Sequence, residues 1–147
     1  MRAVTSAFAL LCAMTCCVMT TSCATKIEMK PTSIKLGAGI DKDTGSLTEE
    51  REKFRSTEKQ AVAWAQFANA YGRHMARFKW FNDEEQLVLD SGPIPITDDD
   101  KLYEWRRVWS TLPILDSPAQ LMPGDWTVEV YFDGEKIETL EFGLEGP

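Results

Sequence analysis

Alternation of apolar and polar positions starts at Gln60 and organises most of the chain beyond it. Ala61, Ala63, Ala65 and Phe67 fall on one face of an extended segment, with Val62, Trp64 and Gln66 on the other. Asn69-Ala-Tyr-Gly72 carries turn chemistry, after which His74, Ala76, Phe78 and Trp80 oppose Met75, Arg77, Lys79 and Phe81. The two segments are expected to pair as a hairpin. Asn82 to Glu85 turns the chain before Leu87-Val-Leu89. Ser91-Gly-Pro-Ile-Pro95 should end that strand, because proline has no N–H to donate to a ladder.

Upstream, Ile34 to Ile40 alternates as a first strand weakened by two glycines, followed by a turn at Asp41-Lys-Asp43-Thr-Gly45. Ser46 to Lys53 is charged and offers at most one helical turn at Thr48-Glu-Glu-Arg-Glu. Lys101 to Ile114 fits two periods. Leu102, Trp105, Val108, Trp109 and Leu112 make a helical stripe, whereas Tyr103, Trp105, Arg107 and Trp109 alternate as in a strand. Its aromatic and β-branched content favours the strand. Asp116 to Met122 is a connection with room for one helical turn. The clearest signal follows: Trp126, Val128, Val130 and Phe132 on one face, an Asp133-Gly134 turn, and Leu140, Phe142 and Leu144 on the core face of the return strand.

About seven short segments with turns at intervals of about 8 to 12 residues predict an all-β, antiparallel Greek-key sandwich. Pro123-Gly-Asp-Trp126 leading into Val128-Glu-Val-Tyr-Phe-Asp-Gly134, with a last strand ending at Phe142, resembles the final hairpin of immunoglobulin-like domains in bacterial exported proteins. Phe78-Lys-Trp80 is similar to their third strand, with its buried Trp. The resemblance spans residues 34 to 145 and is most specific in the last third. It implies an immunoglobulin-like sandwich with Trp80, Trp126, Val128, Val130 and Phe142 in the core, and a binding or structural role. The fold hosts too many functions to choose among them.

The N-terminal end departs from this pattern. Arg2 precedes an apolar stretch from Ala3 to Met19 whose Thr and Ser interruptions leave it too short and polar to span a bilayer. Val18-Met-Thr-Thr-Ser-Cys23 resembles the lipobox of bacterial lipoproteins, departing from it at Thr20, where that pattern has Leu, Val or Ile. The resemblance implies a signal peptide over 1–22, Cys23 as the diacylated first residue of the mature protein, and a bacterial cell envelope location. Ala24 after the cysteine is similar to lipoproteins sorted to the outer membrane. Residues 23–33 read as the lipidated terminus and a flexible tether, and 34–147 as the domain. The alternative is cleavage after Ala24, giving a soluble secreted protein. All four cysteines lie at or before Cys23, so no disulfide, cysteine zinc site or thiolate chemistry is available to the domain.

Charge narrows the partners. Without Arg2, 15 of the 16 basic side chains remain against 23 acidic ones, a formal charge of −8 and no basic patch for nucleic acid. His74 is the only histidine, so no His cluster can bind a metal, and a strand position beside Ala76 and Phe78 reads as a packed or edge residue rather than a catalytic one. Asp41-x-Asp43-x-Gly45 lacks the remaining ligands of a calcium loop, so it and Asp98-Asp-Asp100 read as solvated turns. No carboxylate spacing singles out an acid and base, and no catalytic residue, metal or cofactor is expected. Tyr103, Trp105 and Trp109 remain open: they pack in the core or, with Arg107, form an outward stripe able to bind a partner protein or stack on sugar rings. The expected function is therefore a lipid-anchored, non-enzymatic envelope protein that binds or positions another envelope component, with a carbohydrate-binding module as the alternative.

Overall fold

The computed structural model describes residues 28–147; the expected signal peptide, the cleavage sites and Cys23 lie outside the described residues. Ten strands follow one another: β1 Lys30–Ile40, β2 Leu47–Glu50, β3 Lys53–Arg55, β4 Gln60–Ala70, β5 His74–Phe81, β6 Leu87–Asp90, β7 Ile94–Thr97, β8 Tyr103–Pro113, β9 Gly124–Phe132 and β10 Glu135–Glu145. They form two sheets, β2-β1-β4-β8 and β3-β10-β9-β5-β6, with β7 pairing on β5 beyond β6. The chain changes sheet between β2 and β3, β3 and β4, β4 and β5, β7 and β8, and β8 and β9. Sequence neighbours are therefore often not sheet neighbours, which is the Greek-key arrangement.

The expected hairpin between β4 and β5 does not form. β4 pairs with β1 and β8, whereas β5 pairs with β6, β7 and β9. Both strands alternate as expected, but their apolar faces meet across the sandwich instead of lying side by side in one sheet. Asn69 at φ 55° and Gly72 at φ 80° turn the chain out of the first sheet. Other boundaries also move. Leu47–Glu50 and Lys53–Arg55 are strands, not a helical turn, with β3 running parallel to the end of β10 and burying Phe54. Pro95 lies inside β7, which is tolerated because β7 is an edge paired on one side only. Pro118–Leu121 is the single helical turn foreseen in the connection, with the Ser117 side chain accepting from the Ala119 N–H.

Lys30 to Ser33, read as tether, belongs to β1. Lys30 pairs with Ala68 and Pro31 with Phe67, a bulge before Ser33 absorbs the proline, and Met29 is already buried. The folded domain therefore starts closer to Cys23 than polarity and Pro31 suggested.

Ala61, Ala63, Ala65 and Phe67 of β4 face Ala76, Phe78 and Trp80 of β5 and Trp126, Val128 and Val130 of β9, all within the core. Small side chains on β4 leave room for indoles from the opposite sheet. Phe142 sits among them, stacked on Trp126 at 5.9 Å and edge-on to Trp80 and Phe54 at 5.9 and 5.4 Å. The Trp80 Nε1–H donates to Ser110 Oγ on β8 at 3.0 Å, so one buried side chain spans both sheets.

Candidate functional site

The outer face of β8 holds the most distinctive surface. Within Lys101–Ile114, Tyr103–Pro113 forms a strand rather than a helix, and its inward set is Val108, Ser110 and Leu112, all buried. Period-2 geometry then directs Trp105, Arg107 and Trp109 outward. Trp105 is 46% and Trp109 40% exposed, so neither is a core residue. Tyr103 does not join them. Its ring packs against the core margin under the Arg106 guanidinium at 3.6 Å, and its hydroxyl donates to Asp99 Oδ2 at 2.7 Å. That hydrogen bond holds the Asp99 carboxyl below the usual carboxylate range and raises the Tyr103 hydroxyl above its own.

Arg107 is fixed from several sides. Nε donates to Gln66 Oε1 at 3.0 Å, Nη1 donates to the Thr44 carbonyl at 2.7 Å and Ser46 Oγ at 2.9 Å, and the guanidinium lies 4.1 Å from the Trp105 ring centre. The 41–46 loop is thereby pinned onto the sheet. Trp64 of β4, opposite Trp109 in the register, donates Nε1–H to the Gly45 carbonyl at 2.9 Å. Gly45 has φ 66° and lies against the Trp109 ring, where a Cβ would sit 3.6 Å from it. Asp41 completes the loop by accepting N–H bonds from Thr44 and Asp43 at 3.0 and 2.9 Å, which lower its pKa. Asp41 thus caps a turn. Trp64 and the loop were absent from the expected stripe, because only the strand order places β4 and residues 41–46 beside β8.

The outer face of the second sheet contrasts with this. Arg77 Nε donates to Asp90 Oδ1 at 2.7 Å, Lys79 lies 4.8 Å from the Tyr131 ring centre, and Lys136 Nζ pairs with Glu129 at 3.0 Å. Hydrogen bonds from Arg77, and then from the Gly92 N–H, lower the Asp90 pKa to about 2. A depressed carboxylate contributes stability above its unfolded value of about 3.9 and loses it as pH falls through about 2. Replacing Arg77 by Met should therefore lower the urea midpoint at neutral pH and leave it close to that of the native protein below about pH 2; urea titrations of both proteins across that range read the difference.

His74 is a structural link. Its Nδ1 lies 2.6 Å from Asp133 Oδ2, Asp133 Oδ1 accepts the Met75 N–H at 2.9 Å, and the ring stacks on Phe132 at 5.3 Å. These contacts tie the β9–β10 turn to β5. Among the described residues, no group of three or more His, Cys, Asp or Glu side chains is placed to hold a metal ion. Among the same residues, no helix is long and apolar enough to cross a membrane.

Comparison with known proteins adds the fold and no activity. No family model and no curated protein matches the chain. An immunoglobulin-like protein from Pseudomonas aeruginosa is similar in structure at TM-score 0.52 and 11% identity, over 82% of this chain and 99% of that one. A Pseudomonas fluorescens alkylpurine DNA glycosylase, bound to DNA containing an abasic site analog, is similar at TM-score 0.51 and 13% identity; the match covers 81% of this chain and 31% of that one. The described domain is an immunoglobulin-like β-sandwich.

Proposed function

We propose that this protein is a lipid-anchored, non-enzymatic component of the bacterial cell envelope that docks another envelope component on the outer face of β8. The observation that carries the docking surface is the pair of half-exposed indoles, Trp105 and Trp109, flanking an immobilised Arg107. Large amphipathic side chains on a rigid sheet lose little entropy on binding, and Trp and Arg dominate interface hot spots. A sheet face also holds them without reorganisation. The anchor is supported by the lipobox-like run ending at Cys23 and by a mature chain that keeps no other cysteine.

Carbohydrate is the second ligand class, favoured by the exposed indole faces. Arg107 already occupies one face of Trp105, which leaves Trp109 as the freer stacking platform. Titration of the isolated domain with soluble envelope glycan, read by tryptophan fluorescence, separates the classes: a saturable shift lost in Trp109→Ala supports sugar binding, and no shift supports a protein partner.

The anchor is tested by metabolic labelling with a fatty acid in cells expressing the native protein and Cys23→Ala. Label on the native protein alone is the expected result. Label persisting on Cys23→Ala would refute the assignment.

A further inference from the structure

We infer that the end of the sandwich where the chain enters β1 rests against the bilayer, with Tyr71 and Leu102 touching a lipid surface of zwitterionic headgroups. This deepens the proposed anchor and rests on it. β1 starts at Lys30 opposite Ala68, near the end of β4, and the Glu28 carbonyl accepts from Asn69 Nδ2 at 3.4 Å. The entering chain is therefore held beside the β4–β5 turn. Only five residue steps separate Cys23 from Glu28. At about 3.3 to 3.6 Å per residue, even a fully extended chain reaches no more than about 18 Å. Such a leash keeps this end within about 18 Å of the membrane, while the far end of strands about 36 Å long is held away from it.

The same end presents apolar side chains that none of the described residues covers. Ala70 pairs with Tyr103 as the last pair of β4 and β8, so the next residue outward on each strand is Tyr71 on one and Leu102 on the other. They are 52% and 54% exposed. The Gly72 N–H donates to the Asp99 carbonyl at 3.1 Å and locks the two loops together. Tyr and Leu suit the boundary between headgroups and acyl chains, Tyr because its hydroxyl stays wet while its ring is buried.

Charge selects the lipid. Glu28, Asp98, Asp100 and Glu104 are exposed at this end, against Lys30, Arg73 and Lys101. An anionic surface attracts basic clusters, and this end has none to offer, so contact depends on the two apolar residues and on headgroups without net charge.

The domain lacks cysteine after Cys23, so single cysteines report cleanly. Full-length acylated protein carrying Tyr71→Cys, Leu102→Cys or Leu121→Cys is labelled with an environment-sensitive fluorophore. Each protein is reconstituted into phosphatidylcholine–phosphatidylethanolamine vesicles containing nitroxide-labelled lipid. Leu121 is 83% exposed at the opposite end and serves as the far reference. Blue-shifted emission and quenching at 71 and 102, with neither at 121, is the expected result. A Lys101→Cys probe should be quenched likewise and lose that quenching when Tyr71→Ser and Leu102→Ser are added, two exposed substitutions that leave the core intact. Unquenched probes at 71 and 102 on protein whose N-terminal peptide carries its acyl chains would overturn the contact and leave the anchor standing. An N-terminal peptide without acyl chains would overturn both.

Discussion

Trp80→Ala is expected to lower the free energy of unfolding by about 3 to 5 kcal/mol, as deletion of a large buried aromatic side chain usually does. A domain of this size has about 5 to 15 kcal/mol in total, so the variant should lose between about a fifth and all of its stability. The size of the effect has two sources. Trp80 is fully buried and packs edge-on to Phe142, with Phe54 and Trp126 beyond that ring, so its loss opens a cavity at the junction of four aromatics. It also removes the partner of Ser110 Oγ, which is only 7% exposed. Trp80→Phe separates the two. It keeps most of the ring volume while leaving Ser110 without its donor, and should cost about 1 to 3 kcal/mol. Adding Ser110→Ala to Trp80→Phe should recover part of that loss, since two apolar partners leave no polar group stranded. Urea denaturation of the four proteins measures each step.

The second large effect is on binding. Trp105→Ala combined with Trp109→Ala should weaken docking on the outer face of β8 by at least about 100-fold, given about 2 kcal/mol or more for each hot-spot residue and tenfold per 1.4 kcal/mol. Stability should change little, by about 1 kcal/mol, because both rings are substantially exposed and neither belongs to the core cluster. The pairing of a large binding loss with a small stability loss is what separates a surface site from a packing site. Arg107→Lys is an informative companion. Lysine keeps the charge but has no planar fork to span Gln66, Thr44 and Ser46, so the 41–46 loop should loosen over Trp64 and Trp109.

How far the sequence foretold this structure depended on whether a feature was local. Trp126 to Phe132, the Asp133-Gly134 turn and the return strand follow from alternation and turn chemistry, and they form as expected in β9 and β10. Trp80, Trp126, Val128, Val130 and Phe142 are buried as expected. Sheet membership was not local. The same alternation describes two strands of a hairpin and two strands facing each other across a sandwich, and β4 and β5 proved to be the latter.

The stripe on β8 shows the same limit. Alternation grouped Tyr103, Trp105, Arg107 and Trp109 without saying which side was buried, and a one-residue choice of face decides everything. Val108 and Leu112 turned inward, which exposed the indoles, while the end of the strand drew Tyr103 back onto the core margin and Asp99. Lys30 to Ser33 carries Pro31 and no apolar period, both of which argue against a strand. A bulge and the free edge of β1 accommodate them.

Docking on the outer face of β8 is tested most directly by a photo-crosslinking amino acid placed at Thr111 in intact cells. Thr111 shares that face with Trp105 and Trp109 by strand period and leaves both indoles in place. The reference position is Thr139, exposed on the second sheet opposite Glu129. An adduct of defined mass from position 111, absent from 139 and abolished by Trp105→Ala with Trp109→Ala, is the expected result. Adducts from 139 but not 111, or adducts from 111 that persist in the double variant, would contradict it.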